Sequence, residues 1–193
     1  AKIGLIASLH QLRLLIREIR VLFPACRIVW DPILRTSSGT DLLPDASRES
    51  LLEVAELVDV ILPNRYESRQ LFGEITPGEW AKHTDTAVIA KSAFCTEEDV
   101  TDRAYLPDGR LIESTAPRLG EDRHGTGCLY ATTLCAALAR GEDYQEALHA
   151  AQRATMHYRL GRGQEAPVRR LPLGRRMFVT HATTTAEILK QTD

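Results

Sequence analysis

Apolar residues recur along this chain in two rhythms. Leu12, Leu15, Ile16, Ile19, Leu22 and Phe23 keep helical spacing, with Arg13, Arg17, Glu18 and Arg20 on the other side. Pro24 stops that helix. Short apolar runs at 2–7, 27–31, 59–62 and 86–91 read as strands. A helix carrying Leu51, Leu52, Val54, Ala55 and Leu57 follows a cap at Asp45 or Ser47. Shorter helices are predicted over 67–72, ending at Gly73, and over 77–82, with Thr76 as cap and Pro77 at the first position. This alternation predicts an α/β fold of three layers, α/β/α, with a mostly parallel sheet covered by helices on both faces.

After residue 100 the rhythm changes. Runs over 100–106 and 110–114 flank Pro107-Asp108-Gly109, a strong hairpin signal. Residues 120–127 read as a loop. A small-residue apolar helix over 128–139, expected to be buried all round, ends at Gly141, and another helix runs over 144–158. Beyond Gly161 come Gly163, Pro167, Pro172 and Gly174, then a Thr-rich stretch from His181 to Thr185. The expected organisation is one domain over 1–175 and a tail over 176–193.

Composition narrows the function classes. The 193 residues carry 24 Lys+Arg against 26 Asp+Glu, a formal net charge of -2. Nothing in that balance advertises nucleic acid. No apolar run reaches the ~18 residues of a bilayer span, so a cytoplasmic globular enzyme or binding domain is expected. Cys26, Cys95, Cys128 and Cys135 form no C-x-x-C pair, which argues against a zinc ribbon or a dithiol motif. Three of them are expected to be small buried hydrophobes.

Ligands of such sheets bind at the carboxyl ends of the strands. Four strand ends carry polar groups: Asp31, Asn64, Lys91 and the loop His124-Gly125-Thr126-Gly127-Cys128. Each has a plain structural alternative. Asp31 before Pro32 suits a turn, Asn64 and Glu67 suit a capping box, and Lys91 suits a solvated strand end. Their coincidence at one sheet edge favours function. Gly125 and Gly127 let the backbone approach a ligand at a helix N-terminus, where free N–H groups and the dipole attract anions. The loop has neither the GK[ST] ending of a Walker A motif nor the third glycine of a dinucleotide fingerprint. Cys128 falls in the first helical turn, where the positive end of the helix favours a thiolate able to take a hydroxyl proton. Asp31 and Glu67 are carboxylates suited to Mg²⁺ on nucleotide phosphates.

Asp31-Pro32-Ile33, Pro63-Asn64 with Glu67, Ala116-Pro117-Arg118 and above all His124-Gly125-Thr126-Gly127-Cys128 resemble the hydroxymethylpyrimidine/phosphomethylpyrimidine kinases of the ribokinase-like superfamily. The resemblance runs from Lys2 to about Pro172 and includes Arg169-Arg170-Leu171-Pro172. It implies transfer of the ATP γ-phosphoryl group, with Mg²⁺, to 4-amino-5-hydroxymethyl-2-methylpyrimidine and then to its monophosphate, in thiamine biosynthesis. It implies Cys128 as base, Gly125 and Gly127 with the Cys128 N–H as anion hole, and Asn64, Lys91 and Thr126 on the nucleotide phosphates. Asp31 and Glu67 would serve the metal. The implied partners are a small pyrimidine and ATP, without nucleic acid or membrane, and association into a homo-oligomer is left open. Two departures stand out. Lys91-Ser92-Ala93-Phe94 replaces the Lys-Gly-Gly-His of many members, and the family's N-terminal glycine-rich segment has no counterpart here, so the first strand is expected to be a bare edge and the chain shortened or a fragment. The alternatives are a non-catalytic relative that binds nucleotide or pyrimidine, and a pyridoxal-type kinase, in which Asp usually stands at the place of Cys128.

Overall fold

The computed structural model describes residues 1–36, 39–121 and 123–161. Six strands form one sheet: β1 (Lys2–Ile3), β2 (Val29–Trp30), β3 (Val60–Ile61), β4 (Ala87–Cys95), β5 (Asp99–Tyr105) and β6 (Leu111–Pro117). They lie in chain order, β1-β2-β3-β4-β5-β6. The first four are parallel; β5 pairs antiparallel with β4, and β6 antiparallel with β5. Among the described residues β1 pairs β2 alone.

Six helices cover the sheet. They are α1 (Leu9–Leu22), α2 (Arg48–Ala55), α3 (Arg65–Phe72), α4 (Pro77–His83), α5 (Thr126–Ala139) and α6 (Tyr144–Arg159). Their starts are set by side-chain caps. Ser8 and Ser47 accept from Gln11 N–H and Ser50 N–H, and α3, α4 and α6 open with capping boxes built on Asn64, Thr76 and Asp143. Ser47 rather than Asp45 caps α2.

Alternation along β2 and β3 divides the core into two layers. Trp30 and Ile61 face the layer of Leu12, Ile16, Val54, Phe72 and Trp80, from α1 to α4. Val29, Val60, Leu62 and Ile89 face the layer of Tyr130, Leu134, Ala137 and Leu148, from α5 and α6. Strands buried on both faces read as continuous apolar runs, and that is how residues 59–62 and 86–91 looked in the sequence.

Three expectations are corrected. The strand expected over 86–91 runs on to Cys95, because Phe94 and Cys95 pair with Thr101 and Val100 after an irregularity in the ladder. Only the cross-strand partner reveals this. Helix α5 is not buried all round: Tyr130, Ala131, Leu134, Ala137 and Leu138 are buried, whereas Cys128 is exposed. The cysteines are not core hydrophobes either, for Cys95 and Cys128 are exposed and Cys26 and Cys135 half-buried. The expected tail, and with it Arg169-Arg170-Leu171-Pro172 and His181, lies outside the described residues.

The loop before α5 is pinned to the end of α6. Gly120 has a φ of +77°, and a Cβ on it would stand 2.6 Å from the backbone carbonyl of Arg159. Gly120→Ala is therefore expected to cost about 2 kcal/mol, from strain and clash together. Thermal unfolding reads this directly, and an unchanged midpoint would show that the loop does not need this approach.

Candidate active site

The polar strand ends do converge. Asp31, directly after β2, is 1% exposed. Its Oδ1 takes an ion pair from Lys91 Nζ, and its Oδ2 lies 3.4 Å from Lys2 Nζ. The Lys91 ammonium is thus buried and paired, not a solvated strand end. Its long stem reaches toward α5, since a Cβ built on Gly127 would stand 4.0 Å from Lys91 Nζ.

Asn64 and Glu67 do form the capping box that the spacing suggests. Asn64 Oδ1 accepts from Glu67 N–H at 3.0 Å, and Glu67 Oε2 accepts from Asn64 N–H at 2.7 Å. Unlike an ordinary surface cap, Glu67 is buried. Burial pushes its carboxyl up to about 7, with the Asp31 charge adding to the rise; Lys91 and the N–H groups of Asn64 and Leu34 oppose it. The capping residue is therefore also a buried carboxylate beside Lys91 and Asp31.

Gly125 stands at the N-cap of α5 with a φ of +87°, a left-handed conformation that glycine adopts without cost. Thr126, Gly127 and Cys128 are the first three helical residues, whose N–H groups have no carbonyl within the helix. The loop is held by Tyr158 Oη, which donates to the His124 carbonyl at 2.9 Å, and by Thr126 Oγ1, which donates to the Arg123 carbonyl at 2.5 Å.

Asn64, Lys91, Thr126 and Gly127 line a common pocket of about 210 Å³. Asp31 joins it through Lys91 and Glu67 through Asn64, while Gly125 and Cys128 flank Thr126 and Gly127 in the chain. Among the described residues no group of three or more His, Cys, Asp or Glu side chains is clustered as a metal cage would be. A Mg²⁺ ion needs only one or two carboxylates beside phosphates and water. Glu67 fits that need better than Asp31, whose charge is already met by two ammonium groups.

The far wall of the pocket went unread in the sequence. Asp102, Tyr130 and Gln152 line it. Asp102 and Gln152 are buried, and Gln152 Nε2 donates at 2.8 Å both to Asp102 Oδ2 and to the Ser114 carbonyl. Ser114 Oγ donates back to Gln152 Oε1 at 2.6 Å. The signal was a charge on the inward face of a strand, since Asp102 shares its face with buried Ala104.

The chemistry of Glu67 gives a pH test. A carboxyl raised from 4.5 to about 7 in the folded chain takes up a proton on folding between those values. Its contribution is complete below the unfolded value and is lost as pH rises through the folded one. Glu67→Gln is expected to remove about 2 kcal/mol of the loss in stability between about pH 5 and pH 8. Urea unfolding at the two pH values measures it, and the same slope in both proteins would clear Glu67 of the effect.

The sequence profile of the phosphomethylpyrimidine kinase family matches residues 1–164. The chain belongs to that family. It is 33% identical over 176 residues to the thiamine biosynthesis multifunctional protein ThiED of Corynebacterium glutamicum, covering 82% of this chain and 23% of that protein. It is 31% identical over 157 residues to the hydroxymethylpyrimidine/phosphomethylpyrimidine kinase of Rhizobium meliloti, covering 72% of this chain and 59% of that one. The chain thus spans less than two thirds of either relative. The fold is shared with the pyridoxal kinase of Staphylococcus aureus solved in complex with AMP-PCP, at a TM-score of 0.63, 21% identity, and 78% of this chain against 58% of that one. In this phosphomethylpyrimidine kinase family member, no described helix is long and apolar enough to cross a membrane.

Proposed function

We propose that this chain transfers the γ-phosphoryl group of ATP to 4-amino-5-hydroxymethyl-2-methylpyrimidine, and then to the monophosphate, yielding the diphosphate used in thiamine biosynthesis. The single observation that carries the reading is the start of α5, which brings Gly127 close to the ammonium of Lys91. Free N–H groups at a helix N-terminus and a neighbouring cation suit the charge of a transferring phosphoryl group.

In the first step Cys128, as general base, takes the proton of the substrate hydroxymethyl group. The hydroxyl oxygen bonds to the γ-phosphorus, the bond to the β–γ bridging oxygen breaks, and ADP leaves with that electron pair. The N–H groups of Gly127 and Cys128 hold the equatorial oxygens. Lys91, oriented by Asp31, and Thr126 and Asn64 hold the remaining phosphate oxygens. Glu67, with Asp31 behind it, would hold Mg²⁺, directly or through water, and the ion would neutralise phosphate charge. In the second step the nucleophile is a phosphate oxygen already charged, so positioning matters more than a base. An ATP-dependent reaction of this kind suits the cytoplasm.

A coupled assay of ADP release tests this, with Mg²⁺-ATP and either the pyrimidine alcohol or its monophosphate. Turnover of either supports the reading. Turnover of pyridoxal alone moves the substrate to that class, and ADP binding without turnover of any of these makes the chain a non-catalytic relative.

A further inference from the structure

The ladder between β4 and β5 is interrupted at one place. Ala90 pairs with Arg103 and Phe94 with Thr101, so Lys91, Ser92 and Ala93 stand against the single residue Asp102. Such a bulge bends the strand and re-aims the side chains on it. Lys91 is the residue at which the bulge begins. Its N–H still pairs with the Pro63 carbonyl at 2.9 Å, continuing the parallel ladder, while its ammonium turns to Asp31.

The next residue carries the strain. Ser92 has a φ of 51° and is the one non-glycine residue with positive φ among the described residues. For an L-residue this left-handed conformation is strained and persists only where the surroundings enforce it. The ladder cannot enforce it, because the bulge has removed the carbonyl that Ser92 N–H would meet. Asp102 replaces that carbonyl: its Oδ1 accepts from Ser92 N–H at 2.6 Å. Its Oδ2 accepts from Gln152 Nε2 at 2.8 Å, and Gln152 spends its other N–H and its carbonyl on Ser114. The chain that fixes the strained peptide thus runs from β4 through β5 to α6 and β6.

We infer that Asp102 is a positioning residue for nucleotide binding: it holds the left-handed turn at Ser92, and through that turn it fixes Lys91 opposite the N-terminus of α5. The inference rests on the kinase reading for its nucleotide. Both carboxylate oxygens are needed as acceptors. An asparagine must aim its NH₂ at either Ser92 N–H or Gln152 Nε2, and both of these are donors.

The test compares the unsubstituted chain with Asp102→Asn, Ser92→Gly and the double variant, by fluorescence titration with a labelled ADP and by kinetics with ATP. Setting donor against donor on one side of this half-buried anchor is expected to weaken ADP by about tenfold in Asp102→Asn. The loss appears in KM for ATP more than in kcat. Glycine adopts a positive φ freely, so adding Ser92→Gly is expected to recover about fivefold of it. That rescue is what a merely structural Asp102 would not give. Hydrogen exchange over residues 91–94 reads the anchor without any ligand, and Asp102→Asn is expected to lose protection there. Should that variant fail to fold, Gln152→Met releases the same carboxylate from the α6 side and is expected to act in the same direction at smaller size. Equal ADP affinity in a folded Asp102→Asn, or a double variant no tighter than Asp102→Asn, overturns the inference. If the unsubstituted chain binds no ADP, the kinase reading falls and the nucleotide role of Asp102 falls with it, while the exchange result still decides the anchor.

Discussion

Cys128→Ala is expected to lower kcat for the pyrimidine alcohol by about 10²- to 10⁴-fold, the range of a positioned general base, while turnover of the monophosphate falls by less than about tenfold. The difference follows from the two nucleophiles. A hydroxyl must lose its proton as it attacks phosphorus; a phosphate monoester oxygen has already lost it. The third helical position of α5 also contributes a backbone N–H, which alanine retains. The variant therefore separates the thiol from the anion site that its own peptide helps to build. Cys128 is exposed, so the substitution leaves no cavity in the core, and thermal stability is expected to change little. Equal loss of both steps would remove Cys128 from the role of base and leave it as part of the phosphate cradle.

Lys91→Met is expected to cost about 3 kcal/mol of stability at neutral pH and to weaken nucleotide as well. Breaking a buried ion pair from one side leaves the other charge uncompensated, which costs more than the pair contributes. Asp31 would keep only Lys2, at 3.4 Å. Glu67 would lose the nearby cation that opposes its rise. Lys91→Met with Asp31→Asn is therefore expected to be more stable than Lys91→Met alone, because the second change removes the stranded charge. Urea unfolding of the three variants reads the stability side, and ADP titration reads the phosphate side. If Lys91→Met unfolds like the unsubstituted chain, the pair contributes no net stability and Lys91 is kept for its ligand alone.

What the sequence revealed, and what it hid, follows from the range of each interaction. The parallel core was legible because strands buried on both faces are apolar throughout, and the alternating caps and glycines punctuate them. Asn64, Lys91, Thr126 and Gly127 could be gathered because strand ends of a parallel sheet share one edge; they now line one pocket. The burial of Glu67 was not legible, since Asn64 with Glu67 three residues on reads equally well as an exposed cap. The extension of β4 to Cys95, the bulge at Ser92 and the role of Asp102 were hidden for a common reason. Each depends on which residue of β5 faces which residue of β4, and pairing register across a bulge leaves no local pattern. The exposure of Cys128 was missed because helix α5 is small and apolar in composition, although only part of its circumference meets the sheet.

The sheet order repeats the chain order. From β2 onward, each described strand therefore finds one partner already made when it leaves the ribosome. Each parallel pair is joined through a helix that packs locally, and the last two strands close by short turns, which keeps the loop-closure entropy of every step small. Synthesis can thus lay the described strands down one after another, with the Lys91 strand paired on its β3 side before Asp102 arrives at its bulge. Among the described residues the pocket is completed last, when α5 and α6 cover the sheet.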